Sequence, residues 1–333
     1  NELGQYGSYY MAQCYTNTKQ DKFARSTFFK AYKMNYNDTI SENALLNYAI
    51  LGFIPGIDPF NEAVATLNDF IKNKPNSKRI KDAQEMTIHL LLNNKDYDNA
   101  LKNIEQYSTL SKELENIQSL LTYSLGIQYY NEGQWDESIK HLSNVTNNKN
   151  ADNVTRAEAT YWLADAYYQK KDFSNANKAF QRFIKLPSAN TLDVYPLAYY
   201  NIGYIMMNNG DFNNASQRFK EYINYDKSAD KKKNSDAWMR IGDCYFIQKQ
   251  YNSAITSYGN AIKTDSRNAD YALYQQAMGY GALGKTNDKI NSLNNLTNKH
   301  KNSSFYDKAL YEIGMAHLSS NDSRSAISSF DKL

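Results

Sequence analysis

The side chains of this 333-residue sequence that could do chemistry are few: four histidines, two cysteines and a run of three lysines. His89, His141, His300 and His317 stand apart from one another, and no HExxH or CxxC spacing sets two ligands on one face. No metal or cofactor is expected. Gly279, Tyr280 and Gly281 lack the GxxxxGK[ST] context of a phosphate loop. No triad or working pair of carboxylates stands out, so the sequence reads as non-catalytic. Cys14 and Cys244 lie too far apart in an extended array for a disulfide and are expected to be small buried thiols. Lys231, Lys232 and Lys233 are expected in a solvated linker, where three lysines add only a small share of nucleic-acid affinity. The formal net charge, 38 − 35 = +3, gives no reason to propose nucleic acid or acidic lipid as a partner.

What remains is a chemistry of recognition. The chain holds 29 tyrosines, and a phenol offers a large rigid contact surface with a hydroxyl at its tip. That many rings argue against disorder, whereas a mean hydropathy of −0.73 is low for one large core. A thin seam of rings under a polar surface suits an elongated stack in which each unit buries only the face toward its neighbour. No apolar run approaches the roughly 18–20 residues that cross a bilayer, and no signal sequence opens the chain. Asn1 suggests a segment of a longer protein.

The elements that position these residues are clearest at 235–268, SDAWMRIGDCYFIQKQYNSAITSYGNAIKTDSRN. Trp238, Ile241 and Tyr245 are spaced i, i+3, i+7 on a first helix, and Ala254, Tyr258 and Ala261 line a second. Two facing apolar stripes predict a helical hairpin, with Gly242 and Ala254 expected to let the backbones approach closely. With Ser235 as position 1, small residues or their substitutes recur at position 20 at residues 24, 63, 100, 138, 176, 215, 254, 289 and 326, a period of 35 to 39. Lys289 stands where alanine is expected, and Thr87 and Ile88 replace the usual pair in the third unit. Position 17 is aromatic in six consecutive units, as Phe60, Tyr97, Trp135, Phe173, Phe212 and Tyr251. Gly133, Gly210 and Gly284 fall at position 15, where a left-handed residue can end the first helix. Pro55, Gly56 and Pro59 break the second unit and should stop its first helix.

This register, with Trp238, Gly242, Tyr245, Ala254, Tyr258 and Ala261 at positions 4, 8, 11, 20, 24 and 27, resembles the tetratricopeptide repeat (TPR) over nearly the whole chain. The resemblance implies an all-α fold, an α-α superhelix (solenoid) of about nine TPR helix hairpins. The units fall near 5–42, 44–79, 81–117, 119–155, 157–194, 196–233, 235–268, 270–305 and 307–333, the last truncated. In such families positions 2, 5, 9, 12 and 13 line a concave groove that holds a partner's peptide or helix. Carried over, the groove comprises Tyr9, Tyr48, Tyr123, Tyr161, Tyr200, Tyr274 and Tyr311 at position 5, with Asp165, Tyr204 and Asp243 at position 9. Tyr130, Tyr168 and Phe246 complete it at position 12. The alternative is that the tyrosines pack between neighbouring first helices and that the two aspartates pair within the array.

The expected function is a non-catalytic scaffold for a peptide, helix or protein partner. A docking array of a larger enzyme or signalling protein is the alternative, and self-association through uncapped ends is a further one. The linker NKPNSK at 73–78 and the 35-to-39-residue period look like repeats of Gram-negative envelope proteins. Examples are the lipoprotein of the outer-membrane barrel assembly machinery and the periplasmic Tol-associated coordinator. The expected location is accordingly periplasmic or outer-membrane-associated, with cytoplasmic as the alternative.

Overall fold

The computed structural model describes residues 1–58, 62–107, 110, 112–228 and 230–333. Among the described residues there are eighteen α-helices, two short 3-10 turns and no strand, so the fold is all-α. The chain divides into two compact units, Asn1–Ala166 and Tyr167–Leu333. The first contains α1 (Glu2–Asn17), α2 (Asp21–Met34), α3 (Asp38–Leu51), α4 (Glu62–Asn73), α5 (Ile80–Asn93), α6 (Tyr97–Glu105), α7 (Lys112–Asn131) and α8 (Trp135–Asn147). The boundary falls inside α9 (Asn153–Gln169). The second unit continues with α10 (Phe173–Phe183), α11 (Tyr195–Asn208), α12 (Phe212–Tyr225), α13 (Lys231–Ile247) and α14 (Tyr251–Thr264). It closes with α15 (Asp270–Ala282), α16 (Thr286–Lys299), α17 (Tyr306–Ser319) and α18 (Ser323–Phe330). Within each unit a helix packs chiefly on its neighbours in sequence, the local pairing of a solenoid of hairpins.

One turn design joins the two helices of most hairpins. A residue with positive φ ends the first helix: Lys19, Lys95, Gly133, Lys171, Gly210, Lys249, Gly284 or Asn321, with φ between 56° and 77°. The next amide then reaches back to a carbonyl five residues earlier, as Gln250 N does to Tyr245 O at 2.9 Å and Asp211 N to Met206 O at 2.9 Å. Where that next residue is Asp96, Asp172, Asp211 or Asp322, its carboxylate accepts the amide three residues on and caps the second helix. The expected glycines take this role, and lysine or asparagine takes it in the other five hairpins.

The core follows the predicted stripes. Ala24, Ala63, Ala100, Ser138, Ala176, Ala215 and Ala254 are all fully buried, and Ser138 satisfies its hydroxyl on Gly126 O at 2.9 Å. Thr87 and Ile88 are likewise fully buried, so the third unit keeps the packing despite its altered pair. Gly242 meets a neighbour that its spacing alone does not single out. Its face is covered by the Tyr258 ring, and an added Cβ would lie 2.5 Å from that ring. Lys289 substitutes for alanine by laying its stem against Gly281 and pairing its ammonium with Glu312 at 2.6 Å.

Two local expectations are corrected. Lys231, Lys232 and Lys233 form the first turn of α13, held there because the Asp230 carboxylate accepts the amides of Lys232 and Lys233. Cys244 is buried as expected, but Cys14 is exposed, since it lies on the outer side of α1. In the second hairpin α3 stops at Leu51 and Gly56 takes φ +78°. Asp58 then reaches forward to accept from Glu62 N and Ala63 N, both at 2.9 Å, and pairs with Arg25 at 2.9 Å. Pro59 and Phe60 lie outside the described residues.

Candidate functional site

The first helices carry the tyrosines and aspartates at positions 5, 9 and 12, which i, i+4, i+7 spacing puts on one face. In the first unit Tyr9 meets Phe28 edge-on at 5.7 Å, and Tyr48 is buried with its hydroxyl accepting from Arg25 at 2.9 Å. Tyr161 is buried and its ring packs edge-on against Trp162 at 5.3 Å. Tyr130 stands edge-on to Trp135 and Trp162, both at 5.1 Å, and its hydroxyl donates to buried Asp165. Burial, reinforced by the neighbouring Asp165 carboxylate, raises the Tyr161 phenol pKa above its ordinary value.

Tyr123 has a more open setting. With Tyr97, Ser124, Ile127, Gln128 and Asn131 it borders a cavity of about 500 Å³ on the first-helix face of α7. Lys95 and Glu132 add one charge of each sign at its edge. Burial and then the Glu158 carboxylate raise the Tyr123 phenol pKa, so the hydroxyl stays protonated and remains a donor. Ile127 is position 9 of its repeat, so the register itself could have pointed to it.

The second unit uses its phenols between neighbouring hairpins. Tyr200 donates to Asp236 at 2.7 Å, and Tyr204 donates to the same carboxylate oxygen. Asp236 lies on α13, where Arg240 pairs with it at 3.3 Å and with Asp243 at 2.7 Å. Asp243, almost fully buried, also accepts from Tyr258 and Tyr271, each at 2.8 Å. One polar seam thus ties α11, α13, α14 and α15. Its two carboxylates share one guanidinium, and every phenol in it donates. Burial raises the Asp243 pKa against the opposing pull of Arg240.

The remaining predicted residues are dispersed. Tyr168 and Phe246 pack edge-on against the position-17 rings of Phe173 and Tyr251 at 5.4 and 5.3 Å. Tyr274 stacks on Phe305 at 5.1 Å, while Tyr311 is half exposed. Asp236, at position 2, stands out in the sequence as an off-consensus residue of its repeat, whereas Arg240, also central to the seam, does not, because a link from one hairpin to the next leaves no mark at its position. Of the histidines, His317 pairs with Asp322 at 3.4 Å and His141 stacks on Tyr129 at 5.4 Å. Among the described residues no group of three His, Cys, Asp or Glu side chains could hold a metal ion. None of their helices is long and apolar enough to cross a membrane.

Models of the tetratricopeptide repeat match residues 158–188, 193–272 and 271–303. No curated protein matches the sequence. Among solved structures, the C-terminal part of a TPR repeat-containing protein from Cytophaga hutchinsonii is similar over 80% of this chain and 99% of its own, with TM-score 0.50 and 16% identity. The apo form of RapI is similar over 98% of both chains, with TM-score 0.45 and 13% identity. YrrB, described as a TPR protein with an unusual peptide-binding site, is similar over 53% of this chain and 84% of its own, with TM-score 0.44 and 16% identity. The family models thus make residues 158–303 a run of tetratricopeptide repeats, and the same hairpin, with its left-handed turn and buried position-20 residue, recurs on both sides of that run.

Proposed function

We propose that this chain is a protein-interaction scaffold that holds an extended peptide or a helix against its first-helix face, with the cavity beside Tyr123 as its main contact in residues 1–166. TPR arrays are generally non-catalytic scaffolds, and protein partners are what such a surface suits. The observation that carries the reading is the lining of that cavity. Tyr97 and Tyr123 offer ring surface, Ile127 an apolar floor, and Gln128 and Asn131 amides able to pair with a peptide backbone. The seam from Tyr200 to Tyr271 supports a rigid wall in the second unit, since its hydroxyls already have partners.

Selection of displayed peptides against the folded protein tests this proposal. Tyr123→Ala and Ile127→Arg are expected to weaken the selected peptides at least about tenfold, the loss of one well-placed anchor. Unchanged binding by folded variants would remove Tyr123 from the site. Placement in a bacterial envelope assembly, periplasmic or outer-membrane-associated, rests on the NKPNSK linker at 73–78 and the 35-to-39-residue period. Fractionation of source cells tests it, and recovery with cytosolic markers would overturn it.

A further inference from the structure

The connection from α10 to α11, residues 184–194, is the longest between hairpins of the described chain. It has eleven residues where the other such connections have three to six, and it exceeds the roughly 2–8 residues usual between packed helices. It is nonetheless ordered: a 3-10 turn at Ala189–Thr191 folds it back, and Ala189 is fully buried. Together with the linker that follows α12 it encloses a cavity of about 650 Å³, within the roughly 300–1,000 Å³ range of small-molecule sites. None of its lining residues belongs to the cavity beside Tyr123.

Two tyrosines build a corner in this cavity. The rings of Tyr195 and Tyr225 lie 5.2 Å apart at 73°, and Tyr225 is backed by Tyr199 at 5.3 Å and 25°. A hydrogen bond of 2.9 Å between the hydroxyls of Tyr195 and Tyr199 fixes the arrangement, while Tyr225 keeps 41% of its surface exposed. Around the corner stand Asn190, Asp193 and Asp226. Asp226 is held in place by accepting from Ser228 N at 3.0 Å, Ser228 Oγ at 2.6 Å and Asn234 Nδ2 at 2.8 Å.

We propose that this corner binds a neutral saccharide unit. A sugar ring has an apolar C–H face that stacks on an aromatic ring and a rim of hydroxyls that both donate and accept. The first is met by Tyr225 and Tyr195, the second by the amide of Asn190 and the carboxylates of Asp193 and Asp226. A cationic ligand fits less well. Lys227 stands on the same wall, and the Arg218 guanidinium already lies 5.9 Å over the Tyr199 ring.

Saturation-transfer NMR with a panel of neutral gluco-, galacto- and manno-configured oligosaccharides, with and without acetamido groups, tests the proposal. At least one member is expected to bind. Tyr225→Ala should then weaken it at least about tenfold and Tyr225→Phe less than about threefold, because the phenyl ring retains the stacking face. Circular dichroism checks that both variants fold. Absence of transfer from every sugar, an unaffected Tyr225→Ala variant, or a response to tetramethylammonium alone would overturn the assignment. Peptide binding beside Tyr123 should survive Tyr225→Ala, so failure here is distinguishable from failure of the scaffold reading.

Discussion

At Gly242 a Cβ would lie 2.5 Å from Cε1 of Tyr258, and the same clash recurs at Gly126 with Leu142, Gly203 with Phe219 and Gly314 with Phe330. Alanine in a helix interior is ordinarily better than glycine by about 1 kcal/mol. Here the opposing term is larger, because Tyr258 is almost fully buried and its hydroxyl is tied to Asp243, and overpacking costs about 1–3 kcal/mol. Gly242→Ala is therefore expected to lower the thermal midpoint, measured by circular dichroism. A midpoint equal to or above the parent's would mean that the ring has room to move. The sequence shows that position 8 must be small for the two helices to approach closely, but not that Tyr258 is the residue that covers it. Positions 20 and 24 are one turn apart on one stripe, so periodicity alone does not tell which of them meets the glycine.

The hairpin turn shows the same division at the scale of an element. Gly133, Gly210 and Gly284 announce a left-handed residue, whereas Lys19, Lys95, Lys171 and Lys249 adopt it without any sequence signal. A left-handed non-glycine residue costs roughly 1–2 kcal/mol; glycine avoids that cost, but its greater freedom in the unfolded chain cancels part of the gain. Lys249→Gly, at φ 59°, is thus expected to stabilise the protein by about 0.5–1 kcal/mol in urea unfolding; a loss of stability would refute the strain argument. The aspartate after the turn makes the element acid-sensitive. Hydrogen bonds from the Asn175 backbone and side chain hold the Asp172 pKa below its ordinary value, and the bonds from Ser325 do the same for Asp322. A depressed folded pKa contributes stability that is present above the unfolded carboxyl value and lost as pH falls through the folded one. Stability should decline below about pH 4. Asp172→Asn keeps a capping oxygen but cannot titrate, so its acid limb is expected to be shallower than the parent's; an identical limb would exclude Asp172 from the acid response.

Across the second unit the seam through Tyr200, Tyr204, Asp236, Arg240, Asp243, Tyr258 and Tyr271 joins three successive hairpins. Its members sit 36, 32 and 28 residues apart where they cross from one hairpin to the next, which is why a reading confined to single repeats saw a ladder of phenols and not their partners. In a stack stabilised by nearest-neighbour contacts, such links couple the unfolding of adjacent hairpins. They also set a limit at high pH. Burial comes first and the Asp236 carboxylate second in raising the Tyr200 and Tyr204 phenols, and burial with Asp243 does the same for Tyr258 and Tyr271. For an acid whose folded pKa is raised, the unfolded state releases its proton first, at about pH 10, so stability is full below that value and falls as pH rises. Each such phenol contributes a slope of about 1.4 kcal/mol per pH unit while it remains protonated only in the folded state. Alkaline unfolding should therefore be steep, with part of the phenolate absorbance near 295 nm appearing together with the loss of helical circular dichroism. Replacing both Tyr204 and Tyr271 with phenylalanine removes two of these protons and should flatten the transition, while preserving most of the ring packing. If the double variant kept the parent's slope, or if all phenolate absorbance rose before any helix was lost, the seam would not be what fails in base.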